Sequence, residues 1–478
     1  MSRNILLMLF VMTFLNSFGQ SKVEQANRAV FNKIEFFINT QMTDSIYSLA
    51  SEKFKSEVSP EQLAFVLNNL YQLGKIQNVE VIDFKGQTAT YLLEFPQNRV
   101  QAALSIDSTY HYDGLLFSRA PQAEIPKEQP SAIDTADKVS PLTAYIDSLG
   151  NGYVDKTNTQ SLSIGIFHKN QYNTYFYGET EKGNQTAPQE SSLYEIGSIT
   201  KVFTAVLLAD LVTRNIIQLD DSIARFLPDS VRANEALAGI TFKSLANHTS
   251  GLPRLPDNAG SVHGFTESDP YAAYDRKALF SFLKDYKAER APGEEYVYSN
   301  LGFGLLGELI AIITKKPYMQ YLRETILTPL QMVHTTDKPD AKKKEVLLKV
   351  YDKQGNETPS WNFQSMVGAG GLKSNIKDLM LFAVEQFKMP QNDLQHAMAL
   401  TRQFTFFTPD NTDIGLGWHM SMLDGTIYFH HTGGTGGSSS FIGLSPDTKT
   451  AVIVLSNAAE SVNPVGVAII RKLLSAQQ

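Results

Sequence analysis

Apolar residues recur at helical spacing between residues 23 and 73, first in VFNKIEFFINTQ, then in DSIYSLASEKF. A third such run, EQLAFVLNNLYQL, is opened by Ser59-Pro60 in the manner of a helix cap. After Gly74 the pattern switches to alternation. NVEVIDFKG, TATYLLEFP, VQAALSID and LLFSRA predict strands, with Asp113-Gly114 as the turn into the last. Helices followed by an antiparallel meander make a small α+β domain. The stretch PQAEIPKEQPSAIDTADKVSP, from Pro121 to Pro141, is rich in proline, charge and small residues and reads as a linker. Beyond it PLTAYIDSLG predicts a short helix, and SLSIGIFH and YNTYFYGE predict strands joined at Lys169-Asn170. The far end of the chain has strand-like TIYFHHT, SFIGLSP and TAVIVLSN, then the helical PVGVAIIRKLL. Helical patterns and Gly/Pro loops fill the long interval between. The order predicts an α+β fold: an antiparallel sheet built from both ends of the second domain, with flanking helices and an inserted helical region.

A length of 478 residues with 42% hydrophobic positions allows more than one packed domain. The net charge of −7, spread without long basic runs, argues against nucleic acid as the main partner. MSRNILLMLFVMTFLNSFGQ has one Arg, an apolar stretch from Ile5 to Leu15 and small residues around Gly19. That is the layout of a cleaved export signal, and the stretch is too short to span a bilayer comfortably. The expected layout is therefore a signal peptide over 1–19, a small α+β domain over 20–120, a linker over 121–140 and a larger domain over 141–478. The expected location is periplasmic or secreted, with no integral membrane span after signal cleavage. With no cysteine there is no disulfide framework and no thiolate metal site. The element order of 20–120 resembles the cone-shaped NTF2-like domains that precede hydrolase domains in some exported bacterial proteins.

Candidate chemistry begins in YEIGSITKVFTAVLLADLVTRN, a strand, a Gly197-Ser198 break and an apolar helix. Ser198 falls at the first turn with Lys201 three residues on, so both side chains share a face. A helix apolar on nearly all sides is buried, and desolvation lowers an amine's pKa until it can act as a base. Ser-x-x-Lys alone is weak: it recurs at Ser281/Lys284 and Ser374/Lys377, which read as an exposed helix face and a loop-to-helix cap. A second piece, APGEEYVYSNLGFGLLGELI, holds the chain's single Tyr-x-Asn, Tyr298 and Asn300, ahead of another apolar helix. A packed tyrosine with an Asn helix cap is the plainer reading. Beside a buried ammonium, however, a phenol sheds its proton more readily and can relay it.

The third piece is HHTGGTGGSSS at 430–440. No Lys follows its glycines as a P-loop requires, and strand patterns flank it, so it is neither a phosphate cradle nor a linker. Its glycines read as a sheet edge stripped of side chains, against which a substrate acyl group can lie.

Ser198-x-x-Lys201, Tyr298-x-Asn300 and His431-Thr432-Gly433 resemble, in order, the three motifs of the serine β-lactamase and penicillin-binding-protein superfamily. The Tyr-x-Asn form resembles that of the class C enzymes, D-specific carboxypeptidases and related esterases. NHTSGLP at 247–253 and GAGGLKSNIKDL at 368–379 add to the likeness, which covers about residues 140–478. The resemblance implies a serine hydrolase with Ser198 acylated and Lys201 as its activating partner. It makes Tyr298 a proton shuttle and Asn300 the residue that orients Lys201 and the substrate amide. The backbone N–H groups of Ser198 and Gly434 would form the oxyanion hole, and His431, Thr432 and Gly433 would line the substrate site. It implies an ester or amide substrate (a D-amino-acid peptide, a cell-wall peptidoglycan fragment or a small ester) and neither metal nor cofactor. One departure stands out. β-Lactamases and carboxypeptidases of this group usually carry Lys where this chain has His431, and a neutral imidazole holds a substrate carboxylate poorly. A β-lactamase proper and a non-catalytic penicillin- or peptidoglycan-binding module remain the alternatives. His248 and His430 read as structural, GAGGL as a close-packing turn near the site, and Ser365 or Asn362 as wall residues.

Overall fold

The computed structural model describes residues 17–96, 98–120, 141–339, 347–408, 412–423 and 426–475. The linker over 121–140 and most of the leader over 1–19 lie outside them. The chain divides into two compact units, one dominated by residues up to Pro126 and one by the remainder.

In the first unit a long helix, Ser17–Asn39, and two one-turn helices lead to the helix Pro60–Tyr71. Ser59 caps that last helix as its sequence predicts: its Oγ accepts from Gln62 N at 3.3 Å, and Gln62 Oε1 accepts from Ser59 N at 2.8 Å. The strands β1 (Asn78–Lys85), β2 (Thr88–Glu94), β3 (Arg99–Ile106) and β4 (Tyr112–Arg119) form an antiparallel meander. Phe31 stacks on Tyr91 with ring centroids 3.7 Å apart, joining helix to sheet. The predicted Asp113-Gly114 turn is wrong, since both residues lie inside β4. The turn sits earlier, where Asp107 Oδ1 accepts from Thr109 N at 2.8 Å and His111 N at 3.1 Å. Gly114 serves close packing instead, because a Cβ there would lie 2.6 Å from Ser105 Oγ.

The second unit opens with the helix Pro141–Val154 and the hairpin of β5 (Ser161–His168) and β6 (Gln171–Gly178). Lys169 and Asn170 both take positive φ, 51° and 61°, as a tight two-residue hairpin turn requires. Four two-residue strands follow: β7 (Tyr194–Glu195), β8 (Val350–Tyr351), β9 (Glu357–Thr358) and β10 (Lys373–Ser374), paired β7 with β10 and β8 with β9. The last strands are β11 (Asp413–Ile414), β12 (His419–Leu423), β13 (Thr426–Gly434), β14 (Ser439–Ser445) and β15 (Thr450–Ser456). The sheet runs β11-β12-β13-β14-β15-β5-β6, so both ends of the unit do build one antiparallel sheet. The sequence reading missed β11 and β12, because GWHMSML offers no clean alternation of apolar and polar residues.

β14 and β15 are buried along their whole length. The helix Asn463–Ser475 packs on them, and the helix Ile376–Glu385 packs on β5 and β15. The helix Thr200–Thr213 is buried from Thr200 through Leu211, among the helices Asn300–Thr314 and Asp393–Thr401 and the turn Val367–Gly370. Its ring contact Phe203–Phe382, at 4.2 Å, ties it to the helix under the sheet. Among the described residues no helix is long and apolar enough to cross a membrane.

Candidate active site

Ser198 lies in a single 3-10 turn, Gly197–Ile199, directly before the buried helix. Gly197 has φ of +48°, and a Cβ on it would meet Gly434 N at 2.6 Å. The end of β13 therefore rests against the turn, which brings the Gly434 amide beside Ser198. Gly433 is equally constrained, since a Cβ there would fall 2.1 Å from Ile196 O. The reading of the whole glycine run as one bare edge needs correction. β13 is an interior strand between β12 and β14. Only Gly433 and Gly434 of the run's glycines line the cavity, while Gly436 packs on the Trp361 ring and Gly437 on Val350 and Thr358.

Lys201 is fully buried, and its Nζ lies within hydrogen-bond distance of three oxygens, Ser198 Oγ at 3.0 Å, Asn300 Oδ1 at 2.8 Å and Ala369 O at 2.6 Å; as a neutral amine it donates to Asn300 and Ala369 and accepts from the Ser198 hydroxyl. All three partners are neutral. Burial therefore drives this amine well below the usual lysine range, and the positive charge of Arg254 adds to the effect. The Ala369 carbonyl comes from the GAGGL turn, which stands at the site as expected. The other two Ser-x-x-Lys pairs are elsewhere. Ser281 and Lys284 sit on an exposed helix face. Ser374 is buried in β10, and the helix cap there is Asn375.

The Tyr-x-Asn loop is positioned by the residue between its two functional groups. Ser299, not Asn300, caps the helix Asn300–Thr314, its Oγ accepting from Gly302 N at 2.9 Å and donating to Pro253 O at 2.7 Å. That leaves the Asn300 amide free to accept from Lys201 and to donate from Nδ2 to Tyr271 OH at 3.0 Å. His248 is structural as predicted. It ends a short helix at φ +63°, and its Nδ1 accepts from Ser299 N at 3.0 Å. Tyr298 lies against the His248 ring, with Lys201 Nζ 4.9 Å from its own ring centroid. Here a sequence expectation fails. Burial raises the Tyr298 phenol, and a hydrogen bond with Ser198 only partly offsets it, so the hydroxyl stays protonated at neutral pH.

His431 is 1% exposed; its Nδ1–H donates to Thr432 O at 2.7 Å, and its buried Nε2 has no partner among the described residues. Burial and the neighbouring His419 hold it well below the ordinary histidine range, so it carries no charge at neutral pH. His430 turns away and stacks on His419, hydrogen-bonded through Nε2 to Ser421 Oγ at 2.9 Å. Burial brings His419 down to about 4 and His430 to about 3.

A cavity of about 720 Å³ opens over Ser198 and is walled by Arg254, Tyr271, Tyr298, Asn300, Trp361 and the backbone at 432–435, among others. The predicted wall residues are not in it. Asn362 is exposed and bonded to Asp269 at 2.8 Å, and Ser365 is buried against Tyr274 O at 2.7 Å. Arg254, Tyr271 and His419 were missed because no short motif marks them; they converge only in the fold. Among the described residues no group of His, Asp or Glu has the arrangement of a metal site.

The arrangement is a hydroxyl beside an amine whose pKa burial lowers well below the usual lysine range, a protonated phenol at the same oxygen, and a backbone amide from a second element. A profile of the Beta-lactamase family matches residues 146–477. The chain belongs to that family. As a Beta-lactamase family protein it is a serine hydrolase that works through an acyl-enzyme. It is 29% identical over 309 residues to the D-alanyl-D-alanine-carboxypeptidase/endopeptidase AmpH of Escherichia coli K12, covering 62% of this chain and 78% of that one. A Beta-lactamase of Pseudomonas fluorescens is 24% identical over 355 residues, 66% of this chain and 93% of that one. Among solved structures, the Beta-Lactamase/D-Alanine Carboxypeptidase from Pseudomonas syringae superposes with a TM-score of 0.62 at 21% identity. It covers 71% of this chain and all of its own.

Proposed function

We propose that the protein is an exported serine hydrolase that forms its acyl-enzyme on Ser198, acting on esters or amides such as D-amino-acid peptides, peptidoglycan fragments or small esters. The observation that carries this reading is the Lys201 amine, 3.0 Å from Ser198 Oγ and without a counter-ion among the described residues. A buried amine with a lowered pKa is neutral enough to take the serine proton. Ser198 Oγ then bonds to the substrate carbonyl carbon, and the carbonyl oxygen takes the negative charge. The Ser198 and Gly434 N–H groups receive that charge; one such donor contributes about 10²- to 10³-fold in rate. Tyr298, kept protonated, donates its proton to the leaving oxygen or nitrogen as the scissile bond breaks, and the Lys201 ammonium returns a proton to Tyr298. Water repeats the cycle on the acyl-enzyme. Asn300 holds the Lys201 amine in line.

Thr432 and Gly433 form the wall along which the acyl group lies, and the uncharged His431 behind them disfavours avid recognition of penicillins. AmpH and the Pseudomonas syringae protein lend weight to a D-amino-acid peptide substrate, and the leader pattern to export. The NTF2-like N-terminal unit serves as a spacer or tether.

The test is mass spectrometry after exposure to a fluorophosphonate and to a penicillin. A fluorophosphonate adduct on Ser198 is expected, and an adduct elsewhere or none would sink the assignment. Short-chain esters, nitrocefin and D-amino-acid peptides then sort the substrate, with nitrocefin expected to be the poorest.

A further inference from the structure

The lost motif cation has a counterpart on another wall of the cavity. Among the described residues that line the cavity, Arg254 is the only one with a fixed positive charge, and none is acidic. Its guanidinium is exposed to the cavity, 5.0 Å from the centroid of the Tyr298 ring. Among the described residues no carboxylate pairs with it. The root of the side chain is held firmly: Arg254 O accepts from Asn300 N at 3.0 Å and from Leu301 N at 3.2 Å. The charge is thereby anchored to the same helix start that positions Lys201. On the β13 side, His431 has its one N–H committed to Thr432 O and its other nitrogen buried, so that wall offers no cation.

We propose that Arg254 is a specificity-determining residue that binds a carboxylate of the substrate, so that the preferred substrates are anionic esters or amides docked on the Tyr298 and Asn300 side of the cavity. This rests on Ser198 being the acylated residue. A guanidinium fork matches a carboxylate with two parallel hydrogen bonds, and its placement over an aromatic face preorganises it. There is a second effect. Arg254 helps hold the Lys201 amine down, so a bound carboxylate that screens Arg254 strengthens Lys201 as a base only when the anionic substrate is in place.

The experiment compares acylation rates of the full protein, read by intact mass and peptide mapping, for matched ester pairs. One pair is mono-para-nitrophenyl glutarate and its methyl ester; the other is meta-carboxyphenyl acetate and its methyl ester, placing the acid on either side of the scissile bond. The anionic member of one pair is expected to react about tenfold faster in the native protein, the scale of one charged hydrogen-bonded contact. Arg254→Ala should abolish that ratio, Arg254→Lys restore part of it, and Arg254→Glu invert it. A ratio taken within one preparation is insensitive to how much of a variant is folded. In the native protein the acid limb of the pH profile should lie higher for the anionic ester, and in Arg254→Ala the two limbs should coincide. A native ratio at or below one in both pairs, or a ratio that survives Arg254→Ala, overturns the role of Arg254 alone. Absence of any adduct on Ser198 with all the esters overturns the hydrolase reading beneath it.

Discussion

Among the described residues of the second unit two lysines are buried, and their surroundings differ in one respect. Lys201 has only neutral hydrogen-bond partners among the described residues, and the charge that acts on it, Arg254, is of the same sign. Lys373 donates to Trp361 O at 2.8 Å and Gly371 O at 3.4 Å, yet it lies in the field of Glu195, Asp337 and Asp269. Burial lowers both amines, but for Lys373 those carboxylates pull the other way, and only for Lys201 is the shift extreme. Glu195 meanwhile accepts from Thr435 Oγ1 and from Trp361 N, each at 2.6 Å, so the Lys373 region braces the cavity wall. A buried lysine with carboxylates in reach is a structural brace; one without them is, on the proposed mechanism, the base.

The strongest way to break this comparison is to remove each amine in turn. Lys201→Met should cost about 10⁴-fold or more in ester turnover, as loss of a member of a nucleophile–base unit does. Lys373→Met should change acylation far less while lowering stability, so equal activity losses in steady-state assays would erase the distinction. Next in size, Tyr298→Phe should cost about 10²- to 10³-fold, the range for a positioned proton donor. Its effect should be larger for amides and alkyl esters than for para-nitrophenyl esters, whose leaving group needs no proton; uniform loss across leaving groups would contradict the donor role.

Glu195→Gln sharpens the other half. It removes the charge that offsets Lys373 and weakens two buried hydrogen bonds, a loss of about 2 kcal/mol read by denaturant unfolding. The last prediction concerns the histidines. The folded-state pKa values of His419 and His430, about 4 and about 3, lie below the ordinary 6.5. Below pH 6.5 the unfolded chain thus binds more protons, and stability should decline from there down to those values, by at most about 1.4 kcal/mol per histidine per pH unit. His430→Gln should flatten the slope, and a melting temperature that stays level from pH 6.5 to 4.5 would refute the buried neutral state.

What the sequence made legible follows from what is local. The hairpin at Lys169-Asn170, the Ser59 cap and the two-ended sheet each rest on a few adjacent residues or on a clean period. Ser198 with Lys201 and Tyr298 with Asn300 were readable because each pair shares one turn or one loop. Asp113-Gly114 misled because turn chemistry was also present at Asp107, and the side-chain hydrogen bonds there win. GAGGL marked the turn, but nothing in it singled out Ala369, since its contribution is a carbonyl that every residue possesses. The raised pKa of Tyr298 was not legible, because the extent of its burial depends on His248, His419 and other rings that arrive from distant segments.

The cap at Ser299 has a consequence for how this chain can change length. A helix advances about 100° per residue, so where it starts decides which way its first side chain points. With the start pinned at Ser299 by Gly302 N and Pro253 O, a change of length in the exposed stretch 266–268 should not turn Asn300 away from Lys201, provided Tyr271 keeps its place against the Asn300 amide. A single residue inserted between Tyr298 and Asn300 has no such freedom. The serine works as an indexing notch: remodelling can proceed on one side of it while the catalytic alignment on the other is kept.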